Sequence, residues 1–499
     1  MELDADRCYR AIASRDRRFE GRFVVGVTST DVYCRPGCPA RIPKRENVRF
    51  FACSAAAEEA GFRPCLRCRP DASPAVPAAM GTSVTVSRAL RLIHSGQLDD
   101  TGLDELADRL GVGARHLRRL FAKHLGASPT SIAHTRRVHF ARKLIDETDL
   151  PMTQVAQHAG FASIRRFNDA VRDTFRRAPR DLRRAGRARA AGGDALSLRL
   201  PFKPPYDWPG IVGFLAPRAI PGVEEVTPLL YRRTVCAGGS MGTFTVRPGP
   251  ARDASALQLS IDAPLAGAAG QLIHIVERVG RIFDLGADPL RIAAHLGRDA
   301  GLQARVRARP GLRVAGAWDG FELAVRTILG QQVSVKGATT LAGRIVARYG
   351  EPLPAPIGGL THLFPTPAAI AGADPATFGL PRARDETLGL LAAAVRDGAL
   401  RLDGSQPPEE TIERLLEIKG IGPWSAQYIA MRALRDPDAF PASDLGLVRA
   451  YAPGTQLTPA ALAERAEAWR PWRAYAAMHL WIGGSKAAPG SDPCISSVP

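Results

Sequence analysis

The chain is 499 residues long, 45% hydrophobic and 23% charged, and its 67 Lys and Arg against 49 Asp and Glu give a formal charge of +18. That length supports three or four domains, no apolar run approaches the roughly 20 residues that span a bilayer, and the charged start MELDADRCYRAIASRDRRF does not read as a secretory leader, so a membrane partner is excluded and a cytoplasmic location is expected. Basic residues spread along the whole length point to a polyanion partner, the alternative being a coding bias toward Arg and Ala.

Four of the eight cysteines crowd the amino-terminal segment as two short loops, Cys34 and Cys38 in CRPGC, then Cys65 and Cys68 in CLRC. Two such loops joined by a longer connection supply the tetrahedron of thiolates that Zn²⁺ takes, and the metal folds a segment too small to bury a core of its own. A disulfide reading would need an oxidising compartment. Cys8, Cys53, Cys236 and Cys494 are scattered and read as packing or surface thiols.

Two stretches read as linkers: PDASPAVPAAMGTS, from Pro70 to Ser83, and RRAGRARAAGGD, from Arg183 to Asp194. Between them apolar residues recur at helical spacing, and one arrangement occurs twice. A helix from Leu103 to Leu110 ends at Gly111 and is followed by one carrying Arg115, His116, Arg118 and Arg119. A helix from Met152 to Ala159 ends at Gly160 and is followed by one carrying Ser163, Arg165, Arg166 and Asn168. Glycine permits the tight left-handed turn, and the second helix of each pair presents donors to phosphates or base edges. A single basic helical hairpin could be a solvated face; two in tandem are a far more specific signal. After the second linker, LSLRL, EEVTPLLYRRTV, MGTFTV and ALQLSID alternate as strands, with a helix in WPGIVGFLAPRA. From about Gly270 the pattern returns to helices joined by Gly/Pro turns.

The segment PMTQVAQHAGFASIRRFNDAVRDTFRRAPRDLR resembles the signature of AraC-type DNA-binding domains. Likewise GVTSTDVYCRPGCPARIPKRENVRFF followed by AGFRPCLRCRPD resembles the amino-terminal domain of the Ada family. That resemblance implies zinc held by Cys34, Cys38, Cys65 and Cys68, with Cys34 accepting a methyl group from a methylated DNA phosphate and Arg41 and Arg45 touching the DNA backbone. The alternative is a purely structural four-cysteine zinc domain. The PCHR-type motif of a second alkyltransferase domain is absent from the sequence, so reversal of O6-methylguanine is not expected.

In the carboxyl-terminal half, LLEIKGIGPWSAQYIAMRAL reads as helix, glycine hairpin and helix, with Gly420 and Gly422 leaving backbone amides open to a DNA phosphate. FPASDLGLVRA follows and places Asp444 at the start of another helix, where it could also be a helix cap. Together these resemble the helix-hairpin-helix DNA glycosylases and, with PPYDWPGIVGFLAPRAI, FELAVRTILGQQVSV and AWRPWRAYAAMHLWIGG, the AlkA family of 3-methyladenine glycosylases. The resemblance implies Asp444 as the catalytic carboxylate, Trp424, Tyr428 and Trp481 as aromatic walls of a base pocket, and Gln332 at the wedge position, where that family carries an apolar residue. Trp424 and Tyr428 share a helical face by spacing alone, as ordinary core residues also would. Trp424 stands where bifunctional relatives place a nucleophilic lysine, so a monofunctional enzyme is expected. Four closely spaced carboxyl-terminal cysteines are missing, so no iron-sulfur cluster is expected.

The expected architecture is multidomain and mainly α: a small α/β zinc domain over 1–75, an all-α tandem helix-turn-helix domain over 84–185, a small α+β domain over 195–275 and an all-α helix-hairpin-helix glycosylase domain over 276–488. The expected function joins a methyl phosphotriester acceptor and transcriptional activator, acting on double-stranded DNA and RNA polymerase, to a glycosylase that excises alkylated bases. Two alternatives stand beside it: a regulator whose glycosylase fold is only a DNA-binding platform, and an enzyme whose front half is only a tether.

Overall fold

The computed structural model describes residues 3–70, 84–186, 196–250, 254–268, 270–374, 378–454 and 457–484. The first expected linker, Pro70 apart, lies outside these residues, as do Cys494 and the second linker from residue 187 on. Arg183 still belongs to the helix Pro179–Gly186. The chain divides into two compact units, Met1–Phe202 with Ser260–Glu277, and Lys203–Leu259 with Arg278–Pro499.

The first unit opens with a helix, Ala5–Ala13, and a four-stranded sheet formed by β1 (Val24–Val27), β2 (Val32–Cys34), β3 (Val48–Phe51) and β4 (Arg63–Pro64), in the order β3-β1-β2-β4. β1 pairs antiparallel with both β2 and β3, and β4 runs parallel to β2 with Val32 opposite Arg63. Gly26 lets the sheet close, since a Cβ there would lie 2.9 Å from the rings of Phe51 and Phe62. A helical bundle follows, including Leu103–Arg109, Ala114–Leu125, Pro129–Glu147, Met152–His158 and Ile164–Phe175. Both turns expected to need glycine use the left-handed region, with φ of 68° at Gly111 and 77° at Gly160. Leu106, Leu117 and Phe121 of the first pair are fully buried, as are Val155, Phe167 and Val171 of the second, so each pair's apolar face is core and its charged face is left outward.

In the second unit the strands Glu224–Thr227, Leu230–Ala237 and Ser240–Pro248 form an antiparallel meander, with Tyr231 facing Val226 on one side and Val246 on the other. The helices Gly320–Leu329, Val335–Tyr349, Arg382–Arg396, Pro408–Glu417 and Pro423–Arg432 surround a core that includes Val325, Ile328, Leu391, Leu415 and Ile429. One strand pair, Pro352–Ile357 with Leu360–His362, lies where only helices were expected. Its prolines disguise it, because proline is tolerated in so short a ladder where an N–H need not be donated.

A buried ionic cluster links the meander to the helices. Arg233 donates to Glu322 at 2.7 Å, and Arg326 donates to Glu224 at 2.9 Å and to Glu322 at 3.1 Å. The second guanidinium nitrogen of Arg326 donates to the Arg218 carbonyl. Glu322 and Arg233 are each 2% exposed, so removal of one partner strands a desolvated charge. Glu322→Ala is expected to lower stability by about 3–5 kcal/mol, read from urea unfolding of the full chain; a loss below about 1 kcal/mol would show that the cluster contributes little.

Candidate metal centre and base-binding cavity

Pairing of β2 with β4 brings the two cysteine loops together. Cys34 ends β2, and Cys65 follows β4 and donates its backbone N–H to the Tyr33 carbonyl at 3.0 Å. The sulfurs of Cys34, Cys38, Cys65 and Cys68 lie within 4.8 Å of one another. A tetrahedron with Zn–S bonds of about 2.3 Å has sulfurs about 3.8 Å apart, so the four sulfurs are gathered closely enough to hold the metal, and zinc is the cofactor of this module. Cys34 and Cys68 are buried, and Cys38 and Cys65 half-buried. Burial pushes the thiols of Cys8 and Cys53 up to about 11, which leaves them protonated and unreactive as their scattered positions implied. Arg41 is exposed. Arg45, also exposed, pairs with Asp6 at 3.3 Å and lies over the rings of Tyr9 and Phe50.

In the bundle Arg115, Arg118 and Arg119 are exposed on the first recognition helix, and Arg165 and Arg166 on the second. Ser163 is exposed but caps its helix, accepting the Arg166 backbone N–H at 3.2 Å, and Asn168 is half-buried. The arginines therefore lie at the surface of both helices, Arg119 within 2.9 Å of the His116 ring and Arg165 within 4.0 Å of Asp169.

In the second unit the hairpin joins Pro408–Glu417 to Pro423–Arg432 and leaves Gly420 and Gly422 exposed. Gly420 has φ +92°, and a Cβ there would collide with Thr387; the Thr387 hydroxyl donates to the Lys419 carbonyl at 2.9 Å and pins the loop. Gln331 also reaches the hairpin, donating to the Gly420 carbonyl at 2.9 Å. Its neighbour Gln332 is exposed with φ +57°, a left-handed conformation costing a non-glycine residue about 1–2 kcal/mol.

Beside the hairpin lies a cavity of about 1230 Å³ whose walls include Trp424, Tyr428, Trp481 and Asp444. Trp424 and Tyr428 stack with centroids 5.1 Å apart, and Trp481 meets Tyr428 edge-on at 5.9 Å. Asp444 is a helix cap and a cavity wall at once. Its Oδ1 accepts the Leu447 N–H at 2.9 Å, while Oδ2 accepts the Trp424 indole N–H at 2.9 Å.

Among the other residues of its wall, Phe214, Arg218, Arg432 and His479 had been given no role from the sequence. Phe214 stacks on Trp481 at 6.2 Å, and the Arg218 guanidinium lies 4.0 Å from the Phe214 centroid. Arg432 donates to the Tyr428 hydroxyl at 2.8 Å and is anchored on the carbonyls of Ala315 and Gly316. Burial pushes the Tyr428 phenol up, but the cations of Arg432 and Arg218 outweigh it and leave it below its ordinary value. Spacing could have flagged Arg432, one helical turn beyond Tyr428; Phe214 and Arg218 come from a distant helix and its trailing turn, and His479 stands two residues before Trp481 in the stretch AWRPWRAYAAMHLWIGG, where no role was read for it.

Comparison with known families places these features. The model described as the metal binding domain of Ada matches residues 7–71, that of a helix-turn-helix domain residues 106–185, and that of the AlkA N-terminal domain residues 197–319. Fold and sites thus define a zinc-thiolate and helix-turn-helix module joined to a DNA glycosylase fold. A probable bifunctional transcriptional activator/DNA repair enzyme AlkA of Mycobacterium tuberculosis (strain ATCC 25618 / H37Rv) is 45% identical over 486 residues, 96% of this chain and 97% of that protein. The DNA-3-methyladenine glycosylase 2 of Escherichia coli (strain K12) is 38% identical over 288 residues, 56% of this chain and 95% of that protein. The chain belongs to the family of bifunctional AlkA-type transcriptional activator/DNA repair enzymes. A solved 3-methyladenine DNA glycosylase from Archaeoglobus fulgidus shares the fold, with a TM-score of 0.50 and 23% identity over 58% of this chain and 98% of that one.

His479 is 4% exposed, and burial pushes its imidazole from 6.5 down to about 4. The unfolded chain therefore takes up a proton between those values that the folded chain refuses, and stability falls as pH drops through that window, by about 3 kcal/mol in full. His479→Gln removes this contribution. Its unfolding free energy is expected to vary less between pH 7 and pH 4.5 than that of the wild type; equal slopes would contradict the assignment.

Proposed function

We propose that the chain meets DNA alkylation with two chemistries, a stoichiometric methyl transfer to Cys34 and hydrolytic release of alkylated bases by the Asp444 cavity. The observation that carries the second is the Asp444 carboxylate held by the Trp424 N–H at 2.9 Å on the wall of an aromatic cavity, beside a glycine hairpin. The family relatives are named as transcriptional activators and as a 3-methyladenine glycosylase, which supports both halves. Double-stranded DNA is the partner of both, in the cytoplasm, and RNA polymerase is the further partner of the activator.

Gly420 and Gly422 approach a phosphate without reading sequence, and Gln332 fills the gap left by the rotated nucleotide, donating and accepting hydrogen bonds where an apolar wedge could not. The extruded base rests against Trp424, Tyr428 and Trp481. A purine alkylated at N3 or N7 is positively charged, so its glycosidic bond is weak and the base departs without a strong general acid. The electron pair of that bond leaves with the base, which departs neutral, oxocarbenium character develops on the sugar, and Asp444 stabilises it while water adds to the anomeric carbon and gives up its proton to the solvent, directly or through that carboxylate. Trp424 occupies the place a lysine nucleophile would need, so the product is an abasic site.

At the other end, zinc when bound keeps the four sulfurs deprotonated at neutral pH. The Cys34 sulfur attacks the methyl carbon of a phosphotriester in line; the C–S bond forms, the C–O bond breaks, and its electron pair restores the phosphodiester anion. Arg41 and Arg45 hold the backbone. The thiolate loses a negative charge in this step, which lowers repulsion against DNA. Arg115, Arg118, Arg119, Arg165 and Arg166, with Ser163 and Asn168 beside the second group, supply the helix-turn-helix contacts.

The test uses duplex DNA methylated on bases and phosphates. Wild-type protein is expected to release 3-methyladenine over many turnovers, and Asp444→Asn to do so about 10²–10³-fold more slowly while still accepting one labelled methyl. Cys34→Ala is expected to lose the label and keep excision. Unchanged release by the Asp444 variant would favour a DNA-binding platform, and label retained by Cys34→Ala would overturn the acceptor assignment.

A further inference from the structure

Tyr33 and Cys34 are neighbours on β2, and strand alternation turns them to opposite faces of the sheet. Cys34 packs in a cluster with Phe23, Val25 and Cys68, whereas Tyr33 packs with Val24, Ala57 and Phe62. Tyr33 is fully buried, and its hydroxyl donates to Glu58 Oε1 at 2.8 Å. Glu58 sits on the short helix Ser54–Glu59, and its other oxygen accepts the Thr135 hydroxyl at 2.5 Å. The His139 Nε2 lies 2.8 Å from Glu58 Oε1.

Thr135 and His139 are one turn apart on the helix Pro129–Glu147, which runs between the two helix-turn-helix pairs and packs against both recognition helices. The same helix is gripped at its ends. Glu59 accepts the backbone N–H of Ser128, its cap residue, at 3.1 Å, and Arg69, next to Cys68, pairs with Asp146 near its last turn. The cysteine module is thus fastened along the length of the helix against which both recognition helices pack, and the Glu58 carboxylate is the fastening that reaches β2 itself, through Tyr33.

We propose that Glu58 is a transducing residue: methylation of Cys34 is passed through Tyr33 and Glu58 to Thr135 and His139, so that the helix Pro129–Glu147 reports the state of the sulfur to both recognition helices. The proposal rests on the reading of Cys34 as methyl acceptor. Cys34 is only 8% exposed, so a methyl group added on the side of the sulfur that DNA reaches still adds bulk beside close neighbours in its cluster. β2 is the element that carries the sulfur, so its displacement moves Tyr33 on the opposite face. A carboxylate satisfied by three donors at fixed distances does not stretch; it keeps its partners, and the helix moves with it, or it exchanges them. Burial would raise the Glu58 carboxyl, but His139, Thr135 and Tyr33 hold it below its ordinary value, consistent with a fully engaged anion.

The experiment is amide hydrogen exchange on the zinc-loaded full chain before and after complete methylation by labelled methyl-phosphotriester DNA, followed by removal of the DNA. Wild type, Tyr33→Phe and Glu58→Gln are compared, and label counting gives the methyl stoichiometry of each. Methylation of the wild type is expected to change exchange rates in residues 129–147 by fivefold or more. Both variants are expected to take up the same methyl while the change in that helix drops below twofold. Equal changes in variants and wild type would overturn the proposal. So would a wild-type helix that does not respond despite full labelling, because the signal would then be carried by charge alone. Absence of label on wild-type Cys34 would sink the acceptor reading, and this inference with it.

Discussion

The indole N–H of Trp424 bonded to the Asp444 carboxylate is the constraint on which the glycosylase half depends. It joins the helix that leaves the glycine hairpin, Pro423–Arg432, to the start of Leu445–Tyr451, so the element proposed to meet the DNA backbone and the group proposed to meet the sugar are tied to each other. The other carboxylate oxygen is fixed by capping that second helix. A carboxylate held at both oxygens loses little rotamer freedom when substrate arrives, and such preorganisation is what electrostatic stabilisation of a developing cation requires. The cap is present and the same carboxylate lies on the cavity wall, so the two readings of Asp444 do not exclude each other.

The cavity itself does not favour cations as strongly as three aromatic rings would suggest. Arg218 lies over Phe214, and Arg432 lies over both Phe214 and Tyr428, which sets two positive charges in the cavity wall beside the aromatic rings. Aromatic faces attract a charged base and these arginines oppose it. Selectivity in the proposed reaction therefore comes mainly from the lesion: a positively charged purine has a glycosidic bond weak enough to break with a carboxylate alone, and an undamaged base does not. The arginines do other work, since Arg432 orders the Tyr428 hydroxyl and Arg326 holds the backbone at Arg218.

Legibility in the sequence followed the range of the interactions. Cys34 with Cys38 and Cys65 with Cys68 were visible because short-loop spacing constrains a metal site, and the tandem glycine turns at Gly111 and Gly160 because each is completed within twenty or so residues of local pattern. Gly420, Gly422 and Trp424 were visible for the same reason. Phe214 and Arg218 lie in the AlkA-like stretch PPYDWPGIVGFLAPRAI but were given no role, because they reach the cavity from a helix and turn far away in the chain. The strand pair 352–362 was masked by its prolines. His479 and Glu58 escaped because their importance lies in burial and partners, which no spacing reports; Glu58 in particular reads as an ordinary surface carboxylate of a short helix, yet collects Tyr33, Thr135 and His139.

The most direct measurement is the single-turnover rate of 3-methyladenine release by Trp424→Phe, which keeps an aromatic ring in the wall and deletes only the donor to Asp444. The account predicts that this rate falls by about tenfold or more, the loss of one hydrogen bond to a charged group, while affinity for an abasic duplex stays within about twofold. An unchanged rate would show that Asp444 needs no such anchor, and a fall in affinity with no fall in rate would place Trp424 in DNA binding and contradict the coupling of hairpin to carboxylate.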